Sequence, residues 1–241
     1  MALPLSPRVL IARIHAFVLI MALGLFAGCT SGDWEWQVFG GDLANSQYAP
    51  LDQINTSNVA QLEQAWIYHT GDHKEPGGSQ IQCNPIVVDG VLFGTSPALK
   101  LFALNAATGE EQWVFDPYAG DEEHSVFGVN RGIAYWRSGS DARILFAAGH
   151  SLYAIDAGSG APVPSFGNNG AVDLRAGLDR DMTGLFVSAN TPGIVFGDLY
   201  ILGGRVAEEH PSAPGHVRAF NIRTGEIAWT FHTIPHPGEY G

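Results

Sequence analysis

The sequence predicts an all-β fold of the β-propeller class, and three observations carry that prediction. Segments 101–115, 152–166 and 217–231 are copies of one internal repeat. Each copy joins an alternating apolar run to an Asn or Asp, then a Thr or Ser, then a Gly, the residue order that closes a tight hairpin. Thirty glycines and fourteen prolines in 241 residues suit a chain that turns often, not one of long helices. Self-similarity at a spacing of tens of residues marks repeat architectures, whereas unrelated hairpins in a β-sandwich would not match at so many positions.

The register of the repeat is fixed at several points. Ala103, Ala154 and Ala219 coincide, as do Asn105, Asp156 and Asn221, then Thr108, Ser159 and Thr224, then Gly109, Gly160 and Gly225, and finally Phe115, Phe166 and Phe231. Trp113 and Trp229 match each other on the outgoing strand, where the middle copy has Pro164. A side-chain oxygen of the Asn or Asp can bond the turn backbone, and the Gly then takes the positive φ that reverses the chain into a second strand.

In chain order, the first element is an export signal. Arg8 and Arg13 precede an unbroken apolar stretch at residues 16–26, shorter than the about 20 residues that span a bilayer. Residues 1–28 therefore read as a segment removed before folding. Ala27 and Gly28 before Cys29 resemble the lipobox of bacterial lipoproteins, in which the cysteine is acylated and becomes the first mature residue. A plain signal peptide and an uncleaved anchor are the other readings. Further strands are predicted at residues 85–93, 143–148 and 193–202, each upstream of a repeat. Together they give a strand-turn meander per repeat, with a partial copy around Trp66. The matched glycines lie 51 and 65 residues apart, longer than a minimal blade of about 40–45 residues, so the blades carry loop insertions. Propellers close with typically 4–8 blades. Three copies and a partial one, ending in a loop at residues 233–241, are expected to be the first three to four blades of a longer ring. Residues 29–241 are then the N-terminal part of that propeller.

Composition narrows the function. Twelve Lys and Arg against 24 Asp and Glu give a formal charge of −12, and no basic run supplies attraction to phosphates, so a nucleic-acid role is excluded. With Cys29 acylated, Cys83 has no intramolecular partner and reads as a small buried residue. His69, His73, His124, His150, His210, His216, His232 and His236 show no paired helical spacing of a zinc site and read as loop residues. No Cys-x-x-Cys-His haem motif occurs in the chain.

The Ala-x-Asp-x-x-Thr-Gly-x-x-x-Trp copies resemble the tryptophan-docking motifs of the quinoprotein dehydrogenases, eight-bladed propellers that carry pyrroloquinoline quinone (PQQ) on the ring axis. The segments at residues 36–55, at Asn58-Val59 with Ala65-Trp66, and at residues 129–136 resemble the opening of that family. Ser125 and Val126 stand where methanol dehydrogenases carry a vicinal cysteine pair. The chain is thus more similar to the membrane glucose, quinate and shikimate dehydrogenase branch. That branch usually has an N-terminal multi-helix membrane domain, which a lipid on Cys29 would replace as anchor.

The resemblance assigns roles residue by residue. Arg131 matches the arginine that binds a carboxylate of PQQ, a task suited to a planar, permanently charged guanidinium. Gln82 falls where the family has a glutamate near the quinone, and Asn190 and Thr191 match a position lining the cofactor. Glu208, with Glu209 second, aligns with the loop that coordinates calcium beside PQQ, where Ca²⁺ polarises the quinone carbonyl. In isolation two acidic loop residues form a solvated turn as readily as a metal site. The implied activity is PQQ- and calcium-dependent oxidation of an alcohol or aldose hydroxyl, with electrons passing to a membrane quinone or cytochrome. The implied location is the bacterial periplasm, on a lipid anchor. The base, an aspartate, and a lysine touching the quinone are expected beyond residue 241, so these 241 residues alone are expected to be inactive. The alternative is a non-catalytic propeller lipoprotein that serves as an outer-membrane assembly scaffold.

Overall fold

The turn chemistry of the repeat builds the structure, a computed structural model describing residues 34–73, 78–120 and 128–240. The export signal, Cys29, His124, Ser125 and Val126 lie outside the described residues. In the first repeat turn Asn105 Oδ1 accepts from the backbone N–H groups of Ala107 and Thr108. Asp156 does the same for Ser159, and Asn221 for Arg223 and Thr224. Gly109, Gly160 and Gly225 follow at φ 72°, 71° and 78°, a region that costs a residue with a Cβ about 1–2 kcal/mol.

Three four-stranded antiparallel sheets result. The first is β1 (Ile86–Val88), β2 (Val91–Thr95), β3 (Leu101–Asn105) and β4 (Glu111–Phe115). The second is β5 (Ala134–Ser138), β6 (Asp141–Ala148), β7 (Ser151–Asp156) and β8 (Ala171–Asp173). A two-stranded ribbon of β9 (Val187–Ser188) and β12 (Arg205–Val206) accompanies the third sheet, which runs β10 (Ile194–Phe196), β11 (Leu199–Gly203), β13 (Val217–Asn221) and β14 (Ile227–Phe231). Each sheet is thus a meander in chain order. The ladders of β3 with β4 and β13 with β14 slip at equivalent places, between Ala103 and Leu104 and between Ala219 and Phe220. Opposite these bulges stand Trp113 and Trp229.

The middle copy departs from the expectation. No strand follows Gly160 directly; the fourth strand is β8, after residues 161–170. Pro162 and Pro164 supply no N–H to a ladder, and between them Val163 N donates back to Ala154 O at 2.9 Å.

Two apolar layers lie between consecutive sheets. Ile144, Phe146 and Ala148 of β6 face Ile86, Phe93, Leu101 and Ala103 of the first sheet. Leu145 and Ala147 of the same strand face Tyr200, Leu202 and Phe220 of the third. A strand covered on both faces must be apolar at every position, which explains the unbroken run from Ile144 to Ala148. Trp66 lies on Gly109, and Trp113 on Gly160, where an added Cβ would stand 2.5 and 2.6 Å from the indole. Trp113 Nε1 donates to Ala157 O at 3.2 Å, tying the first sheet to the second. At Gly225 no indole docks, and Gly167 N donates to Thr224 O instead. Trp229 is 41% exposed, and Ile194, Phe196 and Phe231 of the third sheet are also exposed.

The second and third sheets are joined by polar bonds. Trp136 Nε1 donates to Gly197 O at 3.0 Å. Buried Arg143 binds Asp141 through two parallel bonds of 2.8 Å and donates to Ile222 O and Arg223 O across the gap. The Arg143 bonds hold the Asp141 carboxyl below its ordinary range, against partial desolvation and with further help from Arg223. A lowered folded value means that the stabilisation is present above the unfolded value of about 3.9 and is lost as pH falls through the folded one. The thermal midpoint is therefore expected to fall below about pH 4, with a shallower decline in Asp141→Asn. Equal slopes in thermal melts of the two proteins would remove Asp141 from the acid response.

Candidate functional site

The segments that lead into the first strands of the three sheets run side by side. Asn84 N donates to Arg131 O at 2.9 Å, and Arg131 N donates to Asn190 O at 2.8 Å. Gly132 bridges Asn84 in parallel. Its lack of a Cβ lets Phe39 and Pro192 close over the backbone, since a methyl there would meet Phe39 at 2.6 Å. Buried Asn130 fixes the turn by donating to Ala147 O and accepting from Gly132 N, at 3.0 and 2.9 Å. Arg131 is therefore held by its own backbone on both sides while its side chain stays exposed.

Around it lies a cavity of about 440 Å³ lined by Gln82, Val129, Arg131, Asn190, Gly204 and Arg205. Gln82 Oε1 accepts from Arg131 Nε at 3.3 Å. This bond uses the inner nitrogen of the guanidinium and leaves the terminal pair as donors, the geometry for a bidentate carboxylate. Arg205 enters from β12, whose pairing with β9 sets Arg205 opposite Ser188, and its guanidinium lies 5.5 Å from the centroid of the Phe186 ring. Two guanidiniums and two amides around one space suit a ligand carrying more than one carboxylate. On a chain of net charge −12 they also provide a local positive field for it.

The structure thus brings together Gln82, Arg131 and Asn190, three of the residues singled out in the sequence. Thr191 lines a different, apolar cavity of about 310 Å³ with Phe39, Ile133, Tyr135 and Pro192. Glu208 and Glu209 are exposed on the loop after β12 and are not in the lining of either cavity. Arg205 was not anticipated. Its signal was its place in the segment at residues 203–209, three positions before Glu208. Cys83 is half-buried, and desolvation pushes its thiol up despite bonding with Thr95.

Comparison with known proteins gives this geometry its setting. Residues 36–240 match the family described as PQQ: glucose/ethanol/alcohol dehydrogenase, beta-propeller domain. The chain is 29% identical over 216 residues to a quinoprotein glucose dehydrogenase of Escherichia coli (strain K12), covering 83% of this chain and 27% of that protein. It is 32% identical over 206 residues to an alcohol dehydrogenase (quinone), dehydrogenase subunit, of Gluconacetobacter polyoxogenes, covering 84% of this chain and 26% of the relative. The solved quinohemoprotein alcohol dehydrogenase from Comamonas testosteroni is similar with a TM-score of 0.67 and 25% identity, over 88% of this chain and 29% of that one. The chain spans about a quarter of the length of these relatives.

Proposed function

Because the chain belongs to the PQQ β-propeller family of glucose, ethanol and alcohol dehydrogenases, we propose that it forms the cofactor-binding N-terminal portion of a dehydrogenase that oxidises an alcohol or aldose hydroxyl. The observation that carries this reading is the backbone-braced Arg131, set with Gln82, Asn190 and Arg205 around one cavity. When bound, PQQ supplies the two-electron oxidising centre that no side chain offers. The protein's part is to bind and orient. Arg131 would hold one carboxylate of the cofactor and Arg205 would offer a charge to a second, while Asn130 keeps the Arg131 backbone in place. Gln82 anchors the Arg131 side chain without neutralising it, as a glutamate there would.

Calcium belongs to the same reading on chemical grounds. Glu208 and Glu209 offer the hard oxygen donors that Ca²⁺ takes. Their place outside the cavity lining does not fit a cation held beside the quinone. Thr191, next to Asn190, lines the apolar cavity and does not join this set. We further propose that Cys29 carries the lipid, that the protein works at the periplasmic face of a bacterial membrane, and that its electrons go to a membrane quinone or cytochrome.

The test is reconstitution. The purified protein is incubated with PQQ, with and without Ca²⁺, then freed of unbound cofactor. Retained PQQ is measured by absorbance, and dye reduction is assayed with glucose, quinate and ethanol. Retention of about one PQQ per chain is the expected result. Failure to retain PQQ under any of these conditions would overturn the proposal and favour a scaffold role.

A further inference from the structure

Three histidines and an aspartate from three separate segments meet at the edge of the third sheet. His216 directly precedes β13 and His232 directly follows β14. Their neighbours Val217 and Phe231 are paired in the ladder, so the two rings are set side by side with centroids 4.6 Å apart. His236 folds back to stack on His232, with centroids 3.9 Å apart. Asp179 arrives from the loop between β8 and β9. One ligand atom from each of the four residues lies within 4.8 Å of the others. None of the four lines either cavity described above.

Two further observations point to a ligand. His216 is 5% exposed, and among the described residues neither of its ring nitrogens has a hydrogen-bond partner. An unpaired polar group buried in this way costs about 1–3 kcal/mol. The second concerns His232, whose Nδ1 lies 2.7 Å from Glu239 Oε1 while its Nε2 lies 3.4 Å from Asp179 Oδ2. With the proton on Nδ1, donated to Glu239, the lone pair of Nε2 confronts a carboxylate, a contact that either a bound cation or a second proton on Nε2 makes favourable. Glu239 is itself fixed by accepting from His236 N at 2.7 Å. A carboxylate bonded to the far nitrogen of a histidine is the usual outer support of a metal-bound imidazole.

We propose that Asp179, His216, His232 and His236 form a site for a borderline-soft divalent cation of the zinc class, with Glu239 orienting His232. The N₃O donor set disfavours Ca²⁺ and Mg²⁺, which take oxygen ligands. The spacing of 3.4 Å between His232 Nε2 and Asp179 Oδ2 matches the edge of a tetrahedron built on bonds of about 2.1 Å. The exposed His236 and Asp179 are the partners free to turn inward and complete it. Such an ion would pin the segment at residues 232–240 to the third sheet. The sequence contained a partial signal, His232 and His236 four residues apart. His216, His232 and His236 are loop residues, as expected, and the β13–β14 ladder sets the first two beside each other.

The test uses the 241-residue chain stripped with EDTA and then titrated with Zn²⁺ against a chelating indicator, and separately with Co²⁺ followed by its visible spectrum. One Zn²⁺ per chain and an intense tetrahedral Co²⁺ band are expected. His236→Ala, at an exposed position, is expected to abolish the band, and Glu239→Gln to weaken affinity about 10- to 100-fold. Circular dichroism checks that both variants remain folded. Zinc uptake equal in wild type and His236→Ala, or no uptake by wild type, would overturn the site. These outcomes are read without PQQ and are separate from the fate of the functional proposal.

Discussion

Replacing Arg131 by alanine is expected to weaken PQQ binding about 10- to 100-fold, the loss corresponding to about 1.5–3 kcal/mol for hydrogen bonds to a charged partner. The side chain is exposed, and its backbone bonds with Asn84 and Asn190 do not depend on it. The thermal midpoint should therefore stay near that of wild type while the affinity falls. Arg131→Lys is expected to lie between the two, because an ammonium keeps the charge but not the planar pair of donors. Arg205→Ala tests the second guanidinium in the same way. Equilibrium titration monitored by the cofactor's absorbance decides the matter, and unchanged affinity in Arg131→Ala would remove this cavity as the PQQ site.

A second large effect is expected at the junction between the first and second sheets. Gly160 combines φ 71° with the Trp113 indole directly above it. Gly160→Ala therefore meets two separate penalties. The left-handed conformation costs about 1–2 kcal/mol, and forcing a methyl into a filled contact typically adds about 1–3 kcal/mol. Gly90, at φ 74° with nothing within 4 Å of an added Cβ, isolates the first penalty, so Gly90→Ala is expected to cost only about 1–2 kcal/mol. Trp113→Ala removes a docked indole and its bond to Ala157, with an expected loss of about 3–5 kcal/mol. In that background Gly160→Ala should cost no more than Gly90→Ala does alone, because the clash is gone. Denaturant unfolding of the four proteins measures the coupling. A cost for Gly160→Ala that is the same with and without Trp113 would show that the indole does not press on the turn.

The same logic explains why the middle repeat looks different. Pro164 replaces the tryptophan there, and Gly225, the turn it would have covered, is met instead by Gly167 and Val172. Residues 161–170 make this detour before β8 completes the sheet. One substitution in the repeat is thus accommodated by ten residues of chain, and the junction is kept by a backbone bond in place of an indole.

What the sequence by itself determined is local and periodic. Asn105, Asp156 and Asn221 had to turn the chain, because their side-chain oxygens bond N–H groups two or three residues ahead. Gly109, Gly160 and Gly225 had to follow, because only glycine takes that φ without cost. The apolar run at residues 143–148 announced a strand, and the order of the motifs placed the chain in its family. Tertiary structure alone decided which polar groups meet. Arg205 joins Arg131 only because β12 pairs with β9, and Thr191 leaves that cavity although it adjoins Asn190, since successive residues of an extended chain point to opposite sides. His216 and His232 become neighbours because the β13–β14 hairpin pairs Val217 with Phe231, but Asp179 reaches them from the loop between β8 and β9, outside the repeat, where no local pattern points to it.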